Sequence, residues 1–103
     1  MNDVPDPAFD TYHPSGALLF RSTRGGCLHS IALSEDAMAA DANSLAEAIR
    51  RTARVSFLKA TVTLRAEVVA AHPTEGAQAM PTATDLENAI GVLNSHQLEY
   101  RQD

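Results

Sequence analysis

From Ser44 to His72 the chain contains neither glycine nor proline, and this run constrains the fold more than any other feature. Leu45, Ile49, Ala53, Phe57, Ala60, Leu64 and Val68 recur within it at helical spacing. Val55, Leu58, Val62 and Val69 form a second row beside the first. Ser44-Leu45-Ala46-Glu47 sets a hydroxyl three residues ahead of a carboxylate, the capping-box pattern that opens helices. The spacing predicts a helix from Ser44 to Ala71, about 40 Å long at 1.5 Å per residue. Over Thr61–Val69 a strand competes, because Val62, Leu64, Ala66 and Val68 also alternate. An apolar face this broad implies more than one packing neighbour.

Residues 16–33 predict a β-hairpin. Two strand-like runs flank Arg24-Gly25-Gly26, which supplies the positive φ that tight hairpin turns require. On the first strand Leu18 and Phe20 oppose Leu19 and Arg21. On the second, strict alternation puts Leu28, Ser30 and Ala32 on one face, with Cys27, His29, Ile31 and Leu33 on the other. Two strands alone are marginal in water, so the hairpin needs a helix, a third strand or a partner's sheet. Residues 8–13 are the nearest candidates for that third strand. Residues 1–14 otherwise read as a flexible arm, since Pro5, Pro7, Pro14, Asp3, Asp6 and Asp10 resist regular structure. Phe9 and Tyr12 are the side chains able to pin its end.

Residues 34–43 form an acidic connector in which Ser34 is placed to cap a short turn. Residues 72–81, with Pro73, Gly76 and Pro81, read as a loop. Thr84-Asp85-Leu86-Glu87 then repeats the capping-box pattern, and Leu86, Ile90, Leu93, Gln97 and Tyr100 continue a helical stripe. The expected architecture is one α+β domain over 15–103: an antiparallel hairpin or small sheet, a long helix and a second C-terminal helix. The chain has 103 residues and 45% apolar content, but only 5% aromatics and no Trp. A core with so few large side chains makes a second copy of the chain an expected source of burial.

The formal net charge is −5, which disfavours general attraction to DNA or anionic membranes. One cysteine rules out an intramolecular disulfide framework. The start MNDVPDPAFD has neither a basic nor an apolar stretch, so no secretory signal is read there. No apolar run approaches the roughly 18 residues of a membrane span. These features together predict a cytoplasmic protein.

The charge is unevenly spread. Residues 48–66 carry Arg50, Arg51, Arg54, Lys59 and Arg65 and no acid. Arg50 and Arg54 share a helix face. Two readings stand for Arg50, Arg51, Arg54 and Lys59. One is a patch that contacts nucleic-acid phosphates or a protein partner. The other is a solvated face paired with the acidic segments, which the net charge favours.

Nothing in the spacing points to catalysis, a metal or a cofactor. His13, His29, His72 and His96 have no metal-ligand spacing. Cys27 and His29 would share a strand face, but no third group orients them. Gly25-Gly26 lacks the rest of a phosphate loop. The expectation is a protein that is not an enzyme.

The order of elements carries a resemblance. A glycine-rich turn leads to a strand, an acidic Ser-Glu-Asp-Ala-Met step, then Asp-Ala-Asn-Ser-Leu-Ala-Glu-Ala-Ile and an alanine-rich helix. Over roughly residues 16–60 this resembles the second half of the YbaB/EbfC family of small nucleoid-associated proteins, with Leu45 and Ile49 at the family's Leu-x-x-x-Ile position. The resemblance implies a homodimer built from sheet and helices, and DNA binding through basic surfaces. The chain departs from the family in lacking a long N-terminal helix and in adding a helix after Pro81. Its composition also resembles divergent actinobacterial proteins of this pattern found beside ESX (type VII) secretion genes, some of them cytosolic accessory or chaperone-like proteins. The Tyr-x-x-x-Asp/Glu secretion signal is one residue short at Tyr100–Asp103, against an exported substrate. The resulting expectation is a homodimeric, non-enzymatic protein-binding module, with nucleoid DNA binding as the alternative.

Overall fold

The computed structural model describes residues 4–71 and 79–101. A 3₁₀ turn at Pro7–Phe9 leads to strand β1 (Thr11–Tyr12), then β2 (Leu18–Ser22) and β3 (Leu28–Leu33). Three helices follow: α1 (Glu35–Met38), α2 (Ala42–Ala71) and α3 (Ala83–Asn94). The strands form one antiparallel sheet in the order β1-β2-β3. This is the α+β arrangement expected from the sequence.

The hairpin turn forms at Gly25 and Gly26, with φ of 92° and 90°. The Thr23 N–H donates to Cys27 O at 2.9 Å, and the Gly26 N–H to Thr23 O at 3.1 Å. Gly26 has a second constraint. A Cβ there would lie 2.8 Å from Cδ1 of Phe57, so the turn packs directly on the α2 ring.

The β2 faces divide as predicted. Leu18, Phe20 and Ser22 are buried toward α2, while Leu19 and Arg21 are partly exposed. The β3 faces do not. Arg21 pairs with Ser30 but Ser22 pairs with Leu28, so His29 is an extra, bulged residue. The bulge shifts the alternation by one and moves Leu28 onto the face of Ile31 and Leu33. Opposite Ser22, Phe20 and Leu18, all three lie on the helix side of the sheet.

Residues 4–14, read from the sequence as part of a flexible arm over 1–14, pack against the domain; residues 1–3 lie outside the described part. Asp6 caps the Pro7–Phe9 turn by accepting the Ala8 N–H at 3.0 Å. Phe9 is buried, and β1 adds the third strand anticipated over 8–13. Proline suits the first position of a helical turn, and one buried phenyl ring anchors the segment.

Helix α2 runs unbroken through Thr61–Val69, which decides against the competing strand. Thr61 and Thr63 turn their hydroxyls back onto the carbonyls of Phe57 and Lys59, at 3.0 and 2.9 Å. The predicted start needs correction. The helix begins at Ala42, and Asp41, not Ser44, supplies the cap: its carboxylate accepts the Ser44 N–H at 3.1 Å. Ser44 instead sits inside the first turn, where its Oγ accepts the Glu99 N–H at 2.8 Å.

The buried face of α2 keeps Val55, Leu58 and Ala60 of the two predicted rows and departs from the rest. Ser44, Ala48, Thr52, Val55 and Ser56 are buried, whereas Leu45, Ile49 and Ala53 are only partly covered and Phe57 is exposed. The helix–sheet interface is lined with hydroxyls that have local partners. Ser56 Oγ donates to Phe9 O at 2.7 Å and is 2.6 Å from Ser22 Oγ. The Ser56 proton is committed to the carbonyl, so Ser22 is the donor between the two hydroxyls. Small hydroxyl residues let the helix approach the sheet closely, and each is hydrogen-bonded, so burial is inexpensive.

The loop predicted over 72–81 falls mostly outside the described residues. Helix α3 begins two residues earlier than expected. Thr82 is the cap, Asp85 closes the capping box, and Thr84 lies within the first turn. The helix ends at Asn94, so Gln97 and Tyr100 fall beyond it, in an extended tail. That tail docks beside α1: the Asp41 N–H donates to Glu99 O at 2.8 Å, and Arg101 donates to Met38 O at 3.0 Å. α2 packs on β1, β2, the 3₁₀ turn and α3, as its broad face required.

Candidate interaction surfaces

Three places in this fold combine exposure or polarity with a definite arrangement. The first is β3. It is an outer strand of the sheet, and α2 lies over β1 and β2 instead. Its helix-side residues Leu28, Ile31 and Leu33 are therefore 56%, 37% and 41% exposed. Phe57, 41% exposed, rises from α2 beside the hairpin turn. The result is an apolar face on a strand with a free edge, an arrangement that invites strand pairing.

The second is a cleft of 480 Å³ between α2 and α3, whose α2 wall carries Glu47, Arg50, Arg51 and Arg54. The opposite wall carries Asp85, Asn88, Ala89 and Val92. Three of the four basic residues singled out from the sequence thus meet in one place. Glu47 pairs with both Arg50 and Arg51, three and four residues further along the helix. Hydrogen bonds from those two guanidinium groups hold its carboxyl down to about 2. Arg51 also donates to Val92 O at 2.9 Å, where the end of α3 concentrates negative dipole. Arg54 makes no ion pair among the described residues. Asp85 opposite is occupied by the Thr82 cap, whose backbone hydrogen bond, then its hydroxyl, lowers the carboxyl's pKa.

Lys59 is not part of this group. Its Nζ donates to Asp10 O at 2.8 Å on the sheet side of α2, and burial lowers its pKa against the opposing pull of Asp10. The periodicity placed all four cations on one helix, but a step of five residues from Arg54 turns Lys59 to another side.

The third is a histidine pair that sequence spacing did not reveal. His13 Nε2 lies 2.8 Å from His96 Nδ1, with the rings edge to face. His13 is 1% exposed. Its Nδ1 accepts the Ser15 N–H at 3.0 Å, so the His13 proton resides on Nε2 and is donated to His96. Burial, then the charges of His96 and Arg51, lower the His13 pKa. No local signal marks this pair, because the residues meet only after β1 and the tail beyond α3 are assembled. Cys27 and His29, weighed as a nucleophile and base, are both exposed, and His29 is the bulge residue with Ser30 Oγ 3.0 Å from its Nδ1. No helix among the described residues is long and apolar enough to cross a membrane.

Comparison with known proteins places this arrangement in a lineage. An uncharacterized protein of Mycobacterium bovis is 57% identical over 101 residues, spanning 98% of this chain and 98% of that protein. An uncharacterized protein of Mycobacterium tuberculosis matches to the same extent. No solved structure matches the chain. A family described as a protein of unknown function, DUF2694, matches residues 1–99, and the chain belongs to that family.

Proposed function

We propose that this protein is a non-enzymatic, homodimeric protein-binding module, a cytosolic accessory or chaperone-like protein of the kind its YbaB/EbfC and ESX-type resemblances imply. The observation that carries the reading is the uncovered face of β3. Leu28, Ile31 and Leu33 point to the helix side of the sheet, yet α2 packs on β1 and β2 and leaves them exposed among the described residues. Fully burying a side chain of this class stabilises by about 1.5–3 kcal/mol, so covering what remains exposed contributes about 1 kcal/mol for each. A second copy pairing its own β3 antiparallel to this one would extend the sheet across a two-fold axis and cover both faces together.

Sedimentation equilibrium tests the dimer. The wild type is expected to sediment as a dimer, and Ile31→Lys as a folded monomer. A wild-type monomer at high concentration, or a variant that stays dimeric, refutes it.

The alternative is a YbaB-like nucleoid protein that binds DNA. It rests on Arg50 and Arg54, exposed on α2. Against it, Lys59 is engaged with Asp10 O and Arg51 with Glu47 and Val92 O. Salt-dependent anisotropy of a labelled duplex separates the two readings, since phosphate contacts produce a steep salt slope.

A further inference from the structure

We infer that the α2–α3 cleft is the docking site for an acidic peptide segment of a partner protein, one carrying a carboxylate beside a small aliphatic side chain. This rests on the protein-binding reading above and names the chemistry of the partner.

The whole chain is net negative, yet this cleft gathers three guanidinium groups against two carboxylates. Neither carboxylate forms an ion pair with Arg54, and Asp85 acts on it only as a charge across the cleft. Glu47 is held by Arg50 and Arg51, and Asp85 by the Thr82 backbone and hydroxyl. Arg54 is left facing the cleft with no ion-pair partner among the described residues, and Arg50 beside it is exposed. Arg51 is fixed at both ends, by Glu47 and by the Val92 carbonyl, so the wall is rigid where the ligand would meet it. A guanidinium offers a planar fork that matches a carboxylate.

Shape and polarity then select among anions. The cleft has 480 Å³, within the range of about 300–1,000 Å³ typical of ligand sites. Ala89 and a Val92 that is 50% exposed give the α3 wall an apolar strip. A carboxylate at Arg54 with an aliphatic neighbour on Val92 uses both features. A DNA phosphate backbone uses only the first and meets Glu47 and Asp85 on either wall.

The probe is a fluorescein-labelled peptide of alternating glutamate and leucine, titrated into the full chain by anisotropy. Amide shifts are followed by NMR. Saturable binding that weakens with salt, with shifts centred on Arg54, Ala89 and Val92, is expected. Arg54→Ala should weaken it about tenfold, the scale of one charge-assisted hydrogen bond. Arg54→Lys should recover part of the loss, and Val92→Asp should abolish binding. Both side chains are exposed, so the fold tolerates these changes. No saturation at millimolar peptide, shifts centred on β3, equal binding by Arg54→Ala, or displacement by duplex DNA but not by unlabelled peptide would each overturn the inference. The cleft lies within one chain, so the Ile31→Lys variant should bind the peptide as the wild type does. Failure of the dimer and failure of this site are therefore separate results.

Discussion

Acidification should destabilise this protein through His13, by an amount the geometry sets. The Ser15 N–H points at His13 Nδ1, and Nε2–H is donated to His96. A second proton on the ring has to go to Nδ1, where it displaces the Ser15 bond and confronts another N–H. The ring is also 1% exposed, so a charge there loses its water. The folded pKa therefore lies below the ordinary imidazole value of 6.5, and the unfolded chain binds the proton more readily. The sign follows from linkage. The stability contribution is complete above the unfolded pKa and is lost as pH falls through 6.5 toward the folded pKa. Within that window the slope approaches about 1.4 kcal/mol per pH unit for one proton. Urea unfolding at a series of pH values between neutrality and mild acid measures it. His96→Ala supplies the matched perturbation. It strands a buried Nε2–H and should cost about 1–3 kcal/mol at neutral pH. On a domain of this size each kcal/mol lowers Tm by about 4–8 °C. Nitrogen-detected imidazole spectra check the premise directly. A His13 proton on Nδ1 at neutral pH, or an unfolding free energy flat with pH in this window, refutes the reasoning.

Three further substitutions probe the frame. Gly26→Ala combines a φ of 90° with a Cβ 2.8 Å from the Phe57 ring, and should destabilise by about 1–3 kcal/mol in urea melts. Ser56→Ala removes the donor to Phe9 O and the acceptor for Ser22, at a similar cost of about 1–3 kcal/mol, whereas Ser30→Ala on the partly exposed outer side of β3 should change stability little. Asp41→Ala uncaps α2 and should cost about 1 kcal/mol, while Glu47→Ala, which the sequence pattern would have made the cap partner, should leave the helix start unchanged by amide shifts.

Element type and order were legible in the sequence because they depend on local chemistry. Gly25-Gly26 forces a turn, and a long run free of Gly and Pro favours one helix. What the sequence concealed was tertiary. Hydroxyls at Ser44, Thr52 and Ser56 are buried because the tail beyond α3, the helix's own backbone and the 3₁₀ turn respectively satisfy them. The bulge at His29 reversed the facing of Leu28, and nothing in strict alternation announces a bulge. Both caps were misplaced because Asp41 and Thr82 compete with nearby residues of equal capping ability. Of the candidate site, the spacing set Arg50 and Arg54 on one helix face, but Arg51 beside them and the facing wall on α3 could be known only from the helix pairing.

The central claim is that β3 is an interface between two copies of this chain. Isotope-filtered NOE spectra on a mixture of labelled and unlabelled protein test it most directly. The account predicts intermolecular contacts from the methyl groups of Leu28, Ile31 and Leu33, and their loss in Ile31→Lys. Intermolecular contacts confined to α3, or none at concentrations where the protein sediments as a dimer, would contradict it.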